Sequence, residues 1–312
     1  ATTEIYSLSL HDALPISIGD HKDAQCLIKL ASNIETSLVV VDGYAFDADY
    51  QRALKDAGLT VLFLDDNGHA KHYYADWVLN QNIHANASLY DKREANTQLL
   101  LGTRFALLRR EFWKWREWQR IIPVLAKNLL VTMGGADPDN ITLDVLKAIE
   151  SIAASEALEI KVVVGGSNPH LPALVAFASG SQLNLEILAN VMNMPELMAW
   201  SDMAISAGGS TVWELCLMGV PSIALTVADN QETLISVLAD GVVLSAGSAD
   251  DIPFVLRDVI FDQQARQKMS VSARALVDGY GTNRALMHLC GEHIWLRDAT
   301  LADCEQIGRA HV

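Results

Sequence analysis

Positive charge is scarce in this chain: 23 Lys and Arg stand against 38 Asp and Glu among 312 residues, a formal net charge of -15. Nucleic acid and anionic membrane surfaces are held mainly through lysine and arginine, so the balance argues against either as the main partner; an anionic ligand would need a local site. Cysteine is scarce as well. Cys26, Cys216, Cys290 and Cys304 are scattered without a CxxC pair, three of them in apolar or helical contexts. That argues against a disulfide framework or a zinc site and fits a reduced cytoplasm. No apolar run approaches the roughly 18 to 20 residues of a membrane-spanning helix, and no basic region followed by a long apolar core opens the chain. A soluble, unsecreted, cytoplasmic protein is expected. What the chain does have is apolar content, 50% of its residues. At about 150 residues per domain, two domains with sizeable cores are predicted.

The two ends do not read like the rest. "ATTEIYSLSLHDALPIS" (1–17) shows neither helical nor strand periodicity and resembles translated sequencing-adapter read-through, as does the closing "EQIGRAHV". Native sequence is expected from near Ile18 to near Cys304, from a gene that is a fragment. From residue 38 the pattern alternates short β-branched or leucine-rich runs with longer helical segments: "LVVVD", "DADYQRALKDAG", "TVLFLDD", "ADWVLNQN". This is the α/β rhythm of a parallel sheet. "RREFWKWREWQRIIPVLAKN" then separates that block from a fresh strand, "LLVTM". In the second block the strands "LLVTMGG", "KVVVGG", "LNLEIL", "MAISAGG" and "PSIAL" are expected to alternate with helices from Asn140, near 170–178, near 195–200, from Ser210 and from Asp229. The resulting division is a leader (1–17), a partial N-terminal domain (18–112), a linker (113–127), a Rossmann-like domain (128–290) and a tail (291–312).

In an open doubly wound sheet, ligands lie beyond the carboxyl ends of the strands. Three loops there contain glycine pairs: "MGGADPDN" (133–140), "VGGSNPH" (164–170) and "SAGGSTVWE" (206–214). Glycine lets backbone approach a ligand, and N–H groups at a helix start favour negative oxygens, although tight strand-to-helix turns also use glycine for steric reasons alone. Ser210 and Thr211 would face phosphate. Glu214 opens a helix in apolar surroundings and needs a partner: either it accepts ribose hydroxyls, or it complements the helix dipole with its side chain in water. Asn230 and Gln231 of "TVADNQ" supply amides that could reach a sugar or phosphate.

"AISAGGSTVWELCLMGVPSIALTVADNQ", with "VVVDGYAFDADY", "FLDD", "DWVLNQN", "LLLGTRFALLRREF", "VTMGGADPDN" and "VVGGSNPH", resembles the UDP-2,4-diacetamido-2,4,6-trideoxy-β-L-altropyranose hydrolases of pseudaminic acid biosynthesis, over about residues 18–290. The resemblance implies an α/β GT-B type fold of two Rossmann-like domains, the N-terminal one incomplete, related to the UDP-GlcNAc transferase that makes lipid II. It implies a UDP-sugar as the substrate, no cofactor and no metal. It further implies Gly134 and Gly135 beside the diphosphate, the backbone around Val191 and Met192 beside uracil, and Gly208, Gly209, Ser210 and Thr211 around phosphate. Glu214 falls on the ribose-binding carboxylate and Asn230 on the sugar or its phosphate, with Gln231 beside it a further candidate contact to the UDP-sugar. Asp42 and Tyr44 match an Asp-x-Tyr motif facing the sugar, with Gly43 where the family has His.

One departure matters for activity. The family's general base is a His in a Gly-x-Gly-His loop, and nothing here matches it; His21 in "IGDHKDA" has no preceding strand or glycine pair. Asp65, Asp66, His69 and His72 could suggest a metal, yet the acidic pair is an ordinary feature of the family. The tail "HIWLRDATLADCE" resembles the start of an acetyltransferase-like domain. The expected function is hydrolysis of a UDP-sugar by water attack at C1, with the chain as given short of its base. The alternatives are a GT-B glycosyltransferase and a non-catalytic nucleotide-sugar binding module.

Overall fold

In the computed structural model the described residues are 17–153, 158–227, 238–239 and 241–290. They divide into two units, one holding residues 17–79, 87–100 and 283–290, the other 80–86 and 101–282. The first unit begins with helix α1 (His21–Asn33), whose start is fixed by the Asp20 side chain accepting the N–H of Asp23. Strand β1 (Leu38–Asp42), helix α2 (Ala48–Asp56) and strand β2 (Thr60–Leu64) follow, with Asp47 capping α2 in the same way. Strands β3 (Trp77–Asn80) and β4 (Gln98–Leu101) complete a sheet of order β1-β2-β3-β4, and β1, β2 and β3 run parallel.

The crossover from β2 to β3 contains no helix. The buried Asp65 organises it: one carboxylate oxygen accepts the N–H groups of Asn67 and Gly68, both at 2.7 Å, and the other takes the Tyr73 hydroxyl at 2.5 Å. A side chain here does the work that helical hydrogen bonds do in an ordinary crossover.

The second unit contains strands β5 (Asn128–Thr132), β6 (Glu159–Val164), β7 (Asn184–Ala189), β8 (Met203–Ala207), β9 (Ser222–Leu225) and β10 (Val243–Ala246). Between and after them lie helices α3 (Ile141–Ala153), α4 (Leu171–Gly180), α5 (Met194–Trp200), α6 (Thr211–Leu217), α7 (Ile252–Phe261) and α8 (Gln263–Leu276); α9 (Gly281–Cys290) follows, all but its first two residues counted with the first unit. The six strands pair in parallel in the order β10-β9-β8-β5-β6-β7. The chain enters at β5, builds outward to β7, then returns to lay β8 on the other side of β5. Strand order therefore reverses between β5 and β8, which is where such sheets bind ligands.

Strand alternation feeds two cores. Leu129 and Val131 of β5 join a core with Val145, Leu146 and Ile149 of α3 and Ile252 and Leu256 of α7; Leu130 joins the opposite one, with Met198 of α5, Trp213 of α6 and Phe112. Residues 101–127, expected to finish the first domain and link it to the second, pack with this unit. Phe112 is buried, Arg274 donates to the carbonyl of Arg116, and the Arg120 guanidinium donates to the carbonyls of Met198, Ser201 and Met218. Burial draws the Arg120 pKa down to about 10. The helix expected from Asp229 lies outside the described residues.

Candidate functional site

Because the six strands are parallel, the loops after β5, β6, β7 and β8 emerge on one edge, and the three glycine pairs lie together there. They do different things. Gly165, after β6, packs against the loop after β5: a Cβ on it would lie 2.2 Å from the carbonyl oxygen of Gly135 and 2.5 Å from its Cα. Ser167 donates to that same carbonyl at 3.1 Å, and His170 Nε2 donates to the Pro138 carbonyl at 2.9 Å. The glycines of "VGGSNPH" thus fit two loops together.

The start of α3 is already filled. Asp137, itself buried, accepts the N–H of Ile141 at 2.8 Å, the N–H of Thr142 at 3.0 Å and the Thr142 hydroxyl at 2.6 Å. A carboxylate takes the place at the start of α3 that the sequence left open for an anion, so the N–H groups of Ile141 and Thr142 are not free for a phosphate. Gly134 has φ +89 with open space above it, a conformation that glycine adopts without strain, and Gly135 is exposed.

The loop after β8 differs again. Gly208 is buried and donates to the Leu225 carbonyl, whereas Gly209 has nothing within 4 Å of where a Cβ would stand and no left-handed φ that would demand glycine. Ser210 is exposed and makes no side-chain cap. Thr211 is partly exposed and starts α6, whose next six residues are all buried. Among the described residues no acceptor takes the N–H of Gly209, Ser210 or Thr211.

Glu214, within α6, is only 8% exposed, so it does not stand in water as a dipole complement. Its partner is Arg109: Nε donates to Oε1 at 2.7 Å and an Nη to Oε2 at 3.0 Å, a two-pronged pairing. The other Nη of Arg109 lies 2.9 Å from Glu111 Oε1, and the guanidinium carbon is 5.4 Å from the Phe112 ring centre. Burial pushes the Glu214 carboxyl above the usual range and outweighs the downward pull of Arg109; the pairing with Glu214 holds Arg109 firmly charged. Sequence reasoning missed Arg109 as a functional candidate. Its signal was the double arginine of "LLRREF", but nothing local tells which carboxylate, 105 residues away, such a side chain meets.

Val191 is partly buried against the core, and Met192 is 85% exposed in the loop after β7. That loop is three strand positions from β8, about 14 Å across the sheet. Asn230 and Gln231 lie outside the described residues. A cavity of about 590 Å³ opens beside them in sequence, between α3, residues 225–227 and residues 247–250, and is lined by Asp144, Lys147 and Asp250 rather than by the glycine loops.

In the first unit Asp42 ends β1 and Tyr44 stands 56% exposed just beyond, its hydroxyl donating to Asp66 at 3.0 Å. The Asp42 carboxyl is held above the ordinary range, first by loss of solvent around it and then by the charge of Asp66. His69 faces Asp65 at 3.3 Å and the Phe46 carbonyl at 3.2 Å, while His72 pairs with Glu94 at 2.9 Å. No group of three or more His, Cys, Asp or Glu that could hold a metal ion is found among the described residues. His21 is exposed at the first position of α1. Among the described residues no helix is long and apolar enough to cross a membrane.

These features define an α/β protein of GT-B type, with Rossmann-like units built on parallel sheets. Residues 128–278 match the glycosyltransferase family 28 C-terminal domain. The chain is 28% identical over 218 residues to the uncharacterized protein MJ1062 of Methanocaldococcus jannaschii, a match covering 67% of this chain and 44% of that one. It is 25% identical over 194 residues to the pseudaminic acid cytidylyltransferase and UDP-2,4-diacetamido-2,4,6-trideoxy-β-L-altropyranose hydrolase of Helicobacter pylori, over 62% of this chain and 34% of that one. The chain thus spans less than half the length of either relative. The S. aureus MnaA–UDP co-structure shares the fold with a TM-score of 0.62 at 13% identity, covering 89% of this chain and 83% of that one. Together the matches support a GT-B family related to nucleotide-sugar enzymes.

Proposed function

We propose that the second unit binds the UDP moiety of a UDP-sugar, and that the chain derives from a hydrolase releasing UDP and free sugar from a UDP-linked diacetamido-trideoxy sugar by water attack at C1. The observation that carries this reading is Glu214: a buried carboxylate beside the switch-point loop, its charge met by Arg109 and its oxygens retaining lone pairs for further donors. In this reading Glu214 accepts the two ribose hydroxyls. The open backbone of Gly134, Gly135, Gly209 and Ser210 meets the diphosphate, with Gly208 and Thr211 at its margins. Val191 and Met192 take the uracil edge, and Asn230 and Gln231 the sugar or its phosphate. Asp42 and Tyr44, at the carboxyl edge of the first sheet, are the candidate sugar contacts. The hydrolase activity for which the Helicobacter relative is named favours hydrolysis over transfer.

The test is calorimetric titration of the 312-residue chain with UDP and ADP. UDP is expected to bind at least tenfold more tightly; equal affinities would end the uridine assignment. Product analysis of the UDP-sugar with and without an acceptor sugar then separates the reactions: free sugar in both supports the hydrolase, a glycoside formed only with acceptor supports a glycosyltransferase, and binding with neither product supports a nucleotide-sugar binding module.

A further inference from the structure

We infer that Arg109 is a positioning residue for nucleotide binding, one that fixes the Glu214 carboxylate in the orientation in which its outer lone pairs face a ribose diol. This rests on the UDP reading above and adds to it a residue that touches no ligand. Three observations carry it. The two prongs of the guanidinium meet the two oxygens of one carboxylate, at 2.7 and 3.0 Å, which sets the plane of that carboxylate rather than merely its charge. The guanidinium also forms a 2.9 Å ion pair with Glu111, without hydrogen-bond geometry, and lies near the buried Phe112 ring, so its surroundings restrict how the fork can turn. Finally, Val212 to Leu217 of α6 are all buried, and among the described residues the side chain that donates to the Glu214 carboxylate is Arg109.

An ionised carboxylate offers about four acceptor sites, and the fork occupies one on each oxygen. The remaining site on each oxygen suits two neighbouring hydroxyls, the pattern of a ribose and not of a 2′-deoxyribose. Among the described residues the charged groups acting on Glu214 are Arg109 and Glu111. Without Arg109 the carboxyl would be buried beside Glu111 alone. With both downward pulls of Arg109 gone it would hold its proton to higher pH, and a protonated carboxyl loses the acceptor pair.

The experiment measures affinity for UDP and 2′-deoxy-UDP between pH 6 and 8.5 for the parent chain, Arg109→Lys and Arg109→Ala, with melting temperatures recorded alongside. The parent is expected to prefer UDP by roughly tenfold or more, the range for hydrogen bonds to a charged group, with little pH dependence. Arg109→Ala should weaken UDP by a similar factor, nearly abolish the preference over 2′-deoxy-UDP, and make UDP affinity rise with pH. Arg109→Lys keeps the charge without the fork, so it should restore the flat pH profile and only part of the ribose preference; it also serves if the alanine variant does not fold. Variants with lowered melting temperature but the parent's ribose preference and pH profile would overturn the inference, leaving Arg109 a structural clamp. A parent chain that binds no UDP, or Glu214→Gln with unchanged affinity, would instead overturn the nucleotide reading beneath it.

Discussion

Gly165 and Gly209 are glycine for opposite reasons, and alanine at each separates the fold from the ligand. At Gly165 the new Cβ would stand 2.2, 2.5 and 2.7 Å from the O, Cα and C of Gly135, all backbone atoms that no side-chain rotation can move aside. Ordinary carbon contacts need about 3.5 Å, so the loops after β5 and β6 must part by roughly 1 Å. They are also stitched together by Ser167 and His170, and resist parting. Overpacking of this kind costs about 1–3 kcal/mol. In a unit of this size each kcal/mol moves the melting temperature by about 2–4 °C, so Gly165→Ala should melt roughly 2–12 °C lower.

At Gly209 nothing lies within 4 Å and φ is not left-handed, so alanine strains nothing. It narrows the unfolded ensemble and should stabilise by up to about 1 kcal/mol. Its methyl, however, would fill the space assigned to the diphosphate. Gly209→Ala should therefore melt at or above the parent while losing about tenfold or more in UDP affinity, the cost of one displaced charged hydrogen bond. Thermal melts and UDP titrations on both variants read the two effects separately. A Gly165→Ala chain melting with the parent would refute the loop packing. A Gly209→Ala chain binding UDP as tightly as the parent would refute the placement of phosphate over the β8 loop.

Three further outcomes are expected. Asp137→Ala removes three acceptor contacts at the start of α3 from a buried position and should cost about 1–3 kcal/mol, read as a lower denaturation midpoint at unchanged slope. Glu214 has a folded-state pKa above the ordinary 4.5, so its protonated form is favoured by folding. The stability it contributes is full below that value and lost as pH rises through the folded pKa. Denaturation from pH 4 to 8 should thus show the parent losing stability relative to Glu214→Gln, and a constant difference would deny the shift. His21→Ala, at an exposed helix start, should change stability by less than about 0.5 kcal/mol and leave any UDP release untouched; release lost in that variant would make "IGDH" the catalytic loop.

How much of this was legible in the sequence follows from the range of each interaction. Hydrophobic runs and the small residues after them are local, so β1, β2 and all five strands expected from residue 129 to 225 stand where the pattern put them, and the parallel sheet brings the glycine loops to one edge. The buried setting of Glu214 and its need for a partner were legible too, because Leu215, Leu217 and Met218 announce an apolar environment around it. What the partner is, only the tertiary structure decided. Arg109 reaches Glu214 across 105 residues because residues 101–127 fold onto the second sheet, an outcome of packing Phe112 and capping carbonyls with Arg120 that no local pattern encodes. The same holds for the glycines: their identity is written in the chain, but whether a missing Cβ admits a neighbouring loop, as at Gly165, or leaves open space, as at Gly209, depends on what lies across the gap. Sequence fixes which groups are present and their period along the backbone; distance-dependent exclusion and pairing exist only once the sheet has set the loops side by side.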